Sequence, residues 1–144
     1  MTREQDYGFV ATITTRWRDG DAYGHVNNVE YYAFFDTAIN TWLVREGGLD
    51  PAASAVIGVC ATSQCTFHRS LTFPDEVRCG VRVTRLGSTS ATYALALFDD
   101  NSAEPAATGS FVHVFVDRAE RRPAEIPERL RIALQRLVAA EPAA

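Results

Sequence analysis

The chain has 144 residues, with 14 Lys and Arg against 18 Asp and Glu, a net charge of −4, and 47% apolar residues. This length suits one domain, expected to span 1–144, with enough apolar content for a core. The lack of basic excess removes the electrostatic footprint of a nucleic-acid binder. No apolar run approaches the ~20 residues that cross a bilayer, and the polar opening "MTREQDYGF" has no apolar signal core. The expectation is no membrane segment and a cytoplasmic location.

Residues 9–17, "FVATITTRW", alternate and are rich in β-branched and aromatic types, which predicts a strand. Residues 29–48 then run without Pro or Gly as far as Gly47-Gly48, which predicts a long helix with a glycine stop. Val29, Tyr32, Phe35, Ile39, Trp42 and Leu43 follow helical spacing, and Tyr31, Phe34 and Ala38 widen the apolar stripe. Such a helix is expected to be mostly buried. After a loop at Asp50-Pro51, strands are expected over residues 54–67, 76–86, 90–100 and 106–117, with "GST" and "NSAEP" as turns. Residues 126–138, with Pro127 in the first turn, predict a short amphipathic helix.

One strand, a long helix, four strands in meander and a terminal helix predict an α+β fold on an antiparallel sheet. The short turns make the last three strands sequential antiparallel neighbours. A five-stranded sheet curved about one helix leaves open edges, and pairing with a second copy would satisfy them. Cys60, Cys65 and Cys79 form no close pair and are expected to be reduced, buried apolar residues.

The densest polar cluster is residues 19–30, "DGDAYGHVNNVE". Asp19, Asp21, Gly24 and Glu30 match positions of a calcium-loop template, but Tyr23 fills a ligand position and no helix precedes the loop. No metal is therefore expected. A purely structural reading makes Gly24 a turn and Asn27 or Asn28 a helix cap, leaving two acids and a histidine without a role. A catalytic reading uses them. The start of a helix offers free N–H groups and the positive end of its dipole, which can polarise a carbonyl oxygen. A carboxylate just upstream can attack that carbonyl or deprotonate a water.

The block "RWRDGDAYGHVNNVEYYAFFDTA" resembles the signature of the 4-hydroxybenzoyl-CoA thioesterase-like branch of the hotdog-fold thioesterases. The following strands, "FHRSLTFPDEVRCGVRVTRLGSTSATYALALF" and "FVHVFVDRAERRPAEIP", resemble the rest of that family, and the likeness covers about residues 8–130. It implies a hotdog: five antiparallel strands wrapped around one long central helix, with a short C-terminal helix, assembled as a homodimer or homotetramer. The implied activity is hydrolysis of an aromatic or medium-to-long-chain acyl thioester, carried by CoA or acyl carrier protein, without a cofactor. The implied catalytic acid is Asp21, as nucleophile or base, with the backbone N–H near Asn28 polarising the carbonyl and His25 as helper. Tyr31, Phe34, Phe35 and Phe67 are expected to line the acyl pocket. Arg85, Ser88, Ser90, Arg118 and Arg122 are expected to bind CoA phosphates. Asp19 is expected to be structural and Asp36 a buried, paired acid. His68 and His113, on expected strands, read as packing residues, and Trp17 and Trp42 as core or dimer contacts. Hotdog hydratases or dehydratases, and non-catalytic acyl-thioester binding modules, are the alternative functions.

Overall fold

The computed structural model describes residues 1–138. Residues 139–144, the end of the expected domain, lie outside the described residues. In chain order the elements are β1 (Phe9–Thr14), α1 (Asn28–Arg45), β2 (Val56–Phe67), β3 (Glu76–Leu86), β4 (Ser90–Asp99), β5 (Ser102–Asp117) and α2 (Glu128–Leu137), with short 3₁₀ turns at Glu4–Asp6 and Trp17–Asp19. The five strands make one antiparallel sheet in the order β1-β3-β4-β5-β2. This is the α+β hotdog architecture expected from the sequence.

One face of the sheet holds α1. Tyr31, Phe34, Phe35, Ala38, Ile39, Trp42 and Leu43 recur at helical spacing and are buried. Opposite them lie the inward residues of β3 and β4, Val77, Cys79, Val81, Val83, Tyr93, Leu95 and Leu97. Phe35 sits so close to β5 that a Cβ on Gly109 would come within 2.6 Å of its ring. A glycine at that point is what allows the helix to seat. On the far end, α2 adds Leu130, Leu134 and Leu137 to the same core.

Four sequence expectations are corrected. The four later strands are not a continuous meander. Only β3-β4-β5 are sequential neighbours, and β2 pairs with β5 at the opposite edge from β1. Residues 68–75 between β2 and β3 hold no glycine, and they carry the chain across to the other side of the sheet before a turn closed by the Asp75 N–H on the Thr72 carbonyl at 3.0 Å. The helix is buried along one stripe and not nearly all round. Val29 is exposed, as are Ala33, Thr37 and Asn40, because the sheet covers one side only. The segment Ser102–Pro105 joins β5 rather than a turn, with Pro105 in the irregular register between Leu97↔Ala107 and Asp99↔Ser102. Irregular strand pairing is where a residue lacking an N–H is tolerated. Cysteine burial is also mixed: Cys79 is buried, Cys65 half-buried and Cys60 exposed, since β2 is an edge strand with little packed on either face.

Candidate active site

The chain leaves β1 and makes the 3₁₀ turn Trp17–Asp19. Asp19 is fully buried there. Its carboxylate accepts the Arg16 backbone N–H at 2.8 Å and the Arg16 guanidinium at 2.9 and 3.2 Å. The same guanidinium lies 3.7 Å from Glu30 in the first turn of α1. Asp19 and Glu30 are thus consumed in fixing the turn, and a strand, β1, precedes the loop where a calcium hand has a helix.

The next residues form a small closed loop. Gly20 bridges to Val26, the Asp21 N–H donates to the His25 carbonyl at 2.8 Å, and Gly24 N–H donates back to the Asp21 carbonyl at 3.3 Å. Gly24 has φ +83°, and a Cβ there would touch nothing. Backbone conformation, not space, demands glycine here. Asp21 Oδ1 accepts the backbone N–H groups of Tyr23 at 2.8 Å and His25 at 3.2 Å. Its second oxygen, Oδ2, has no partner among the described residues.

The loop then passes directly into α1. Val26 N–H donates to the Leu71 carbonyl and Asn27 N–H to the Asp19 carbonyl. Asn27 is the helix cap, its side chain accepting the Val29 N–H at 3.2 Å. The N–H of Asn28, first residue of the helix, has no acceptor among the described residues. A free donor at a helix start is the group needed to polarise a carbonyl oxygen.

Asp21, His25, Asn27 and Asn28 share a pocket of about 670 Å³ with Tyr31 of α1 and with Phe67, His68, Arg69 and Ser70 at the end of β2. The second wall is tied down at Phe67, His68 and Arg69. Tyr31 packs edge-on to Phe67 with ring centroids 4.9 Å apart, and its hydroxyl accepts the Leu71 N–H at 3.0 Å. Burial pushes the Tyr31 phenol above its ordinary range. His68 Nε2 lies 2.9 Å from Thr108 Oγ1. Arg69 grips Asp99 with both terminal nitrogens, at 2.9 and 2.6 Å. Burial alone would raise the Asp99 pKa, but Arg69 and Asn101 together hold it below the ordinary carboxylate range.

The structure brings Asp21, His25, Asn28, Tyr31 and Phe67 together and separates the other sequence-derived candidates. Phe34 and Phe35 are buried in the core, Phe35 against Phe111, and do not line the pocket. Arg85, Ser88 and Ser90 sit at the β3-β4 turn, and Arg118 and Arg122 follow β5. That end of the sheet is ~30 Å along the strands from the pocket of the same chain. Arg118 donates to the Ser54 and Pro51 carbonyls, both at 2.7 Å, and Arg122 lies 3.9 Å from Glu120.

Other side chains fall elsewhere than expected. Asp36 is exposed on the outer face of α1, accepting a bond from Asn40, and is not a buried acid. Trp17 is exposed, stacked edge-on to Phe73, and outside the core of the single chain. His68 is not a packing residue but lies exposed on the pocket wall, because β2 ends at Phe67. His113 and Trp42 are buried. His68, Arg69 and Ser70 were missed as site residues. The available signal was a His-Arg-Ser step directly after a strand, where functional loops concentrate.

A closed acid-bearing loop, a free N–H at the start of a central helix and a curved antiparallel sheet around that helix define a hotdog-fold thioesterase-like protein. The model of the thioesterase-like superfamily matches residues 15–134, and the chain belongs to that family. Among solved structures, the PA5185 protein of Pseudomonas aeruginosa is 48% identical, with a TM-score of 0.93 over 96% of both chains. The PA2801 protein of the same species is 29% identical, with a TM-score of 0.81 over 87% of this chain and 96% of that one. Slr0204, a 1,4-dihydroxy-2-naphthoyl-CoA thioesterase from Synechocystis, is 17% identical and shares the fold, with a TM-score of 0.79 over 88% of this chain and 95% of that one. No described helix is long and apolar enough to cross a membrane.

Proposed function

We propose that the chain hydrolyses acyl-CoA thioesters, with Asp21 as the reacting carboxylate and the Asn28 N–H polarising the thioester carbonyl. The observation that carries this reading is their meeting in one pocket, with Asp21 held by main-chain bonds and Oδ2 left for chemistry. A thioester carbonyl seated against Asn28 N–H would develop negative charge where a fixed donor already points. Asp21 then activates a water or attacks the carbonyl itself. His25, on the same loop, is proposed to orient the attacking water. Tyr31 and Phe67 offer an apolar wall suited to an aromatic or medium-to-long acyl group. No metal or cofactor is required by this chemistry.

The proposed assembly is a homodimer through β2. This strand has a free edge along all 12 of its residues. Two-fold pairing of one edge strand with its copy runs antiparallel. The partner's Val56 end would then lie beside the Phe67 end of this chain, bringing the partner's Arg118 and Arg122 towards the pocket. Separation of these arginines from the pocket in one chain thus supports a CoA site shared between two subunits. Arg85 on β3, Ser88 in the β3-β4 turn and Ser90 on β4 stand at the same end of the sheet, further in from the β2 edge.

The test is hydrolysis of short, long, aromatic and carrier-bound acyl thioesters by the wild type and Asp21→Asn. At least a ~100-fold fall in kcat is expected for the variant, with an unchanged circular dichroism spectrum. An Asn at 21 that turns over at the wild-type rate, or a wild type inert towards every thioester, overturns the reading.

A further inference from the structure

On the water-activating branch of the mechanism just given, Asp21 is taking a proton from water on one side of the carbonyl, and a second group across the pocket is placed to give one to the departing sulfur. The pocket lining offers two imidazoles, the side chains best suited to give a proton near neutral pH. His25 contributes its main chain to the loop, and its ring has no hydrogen-bond partner among the described residues. His68 stands on the opposite wall and its ring is oriented. Nε2 is 2.9 Å from Thr108 Oγ1, and the His68 backbone N–H donates to the Ala106 carbonyl at 2.8 Å. The adjacent Arg69 is locked to buried Asp99, and Leu71 is bonded to both Tyr31 and Val26. The segment carrying His68 is therefore fixed relative to the helix start. With Nε2 engaged, Nδ1 is the nitrogen left for substrate, and it has no partner among the described residues.

We propose that His68 is a further catalytic residue, the acid that protonates the departing thiol sulfur, with Thr108 as its positioning residue. The proposal rests on the thioesterase reading above. Water oxygen bonds to the acyl carbon as Asp21 takes one of its protons. The C–S electron pair passes to sulfur, which takes the proton from Nδ1 of imidazolium His68. The products are the carboxylic acid and the free thiol. Loss of the Asp21 proton to solvent and uptake of one by His68 restore the starting state.

The experiment compares one acyl group presented as its CoA thioester and as the thioester of a much more acidic aryl thiol, which departs without help. Wild type, His68→Gln and Thr108→Val are assayed on both, with melting temperature as the folding control. His68→Gln should lose roughly 100-fold in kcat on the CoA thioester, the low end for a positioned acid, and little on the aryl thioester. Thr108→Val should show a smaller loss with the same preference. An equal loss on both substrates, or no loss on either, overturns the role of His68. If wild type cleaves both and Asp21→Asn cleaves neither, the thioesterase reading survives that failure. A wild type that cleaves neither thioester removes both.

Discussion

Asp99→Asn isolates the device that holds the second wall of the pocket. The Asp99 carboxylate is fully buried and receives the two terminal nitrogens of Arg69 as well as the backbone and side-chain N–H groups of Asn101. Removing one partner of a buried ion pair costs about 3–5 kcal/mol. Here the Arg69 side chain keeps 28% exposure, and an amide can still accept part of the bonding. Solvent screening lowers the expected loss to about 2–3 kcal/mol. In a chain of this size that corresponds to a fall in Tm of roughly 6–12 °C. Thermal unfolding followed by circular dichroism measures it. The pH dependence gives an independent arm. Because the folded carboxyl titrates below its ordinary range, the pair stabilises the wild type at neutral pH, and this contribution disappears as pH falls through and below about 4. The variant should lack that acid-sensitive part. A Tm within 1 °C of wild type would refute the argument, as would an unaltered acid limb of stability.

Two further outcomes are expected. Burial pushes the His113 pKa down from 6.5 to about 4, so the unfolded chain takes a proton over that interval while the folded chain does not. Stability should fall as pH drops from about 6.5 to 4, and His113→Leu, which also removes the unpartnered buried Nδ1, should flatten that slope in denaturant titrations. The chain should also sediment at micromolar concentration with a mass of at least two copies; a monomeric mass would remove the proposed shared CoA site.

The parts of the fold that could be read from sequence are those written in local periodicity. The alternation of β3 and β4 and the spacing of Phe35, Ile39 and Trp42 each reflect a face that meets one neighbour. The position of β2 beside β5 could not be read this way, because strand order depends on where residues 68–75 travel and not on any pattern inside the strands. The same missing fact hid the site's second wall. His68 directly follows a strand expected and observed to end at Phe67, and nothing inside that strand tells which wall the next residues enter. The candidate catalytic loop was legible for the opposite reason: Asp21, Gly24, His25 and Asn28 lie within eight positions of one another. Asp36 misled because an acid among aromatic residues looks buried, although it lies off the stripe that faces the sheet.

The loop that presents Asp21 is closed almost entirely by backbone bonds: Gly20 to Val26, Asp21 to His25, and the carboxylate to two amides. Only Gly24 is constrained by its conformation, while the side chains of Ala22 and Tyr23 point into solvent at the tip. The placement of the proposed reacting carboxylate and the identity of the surface are consequently separable at this point. Randomising positions 22 and 23 should give a library in which most members keep a correctly placed acid. Tyr23 also borders the pocket mouth, so divergence there offers a route to new acyl preferences without rebuilding the chemistry.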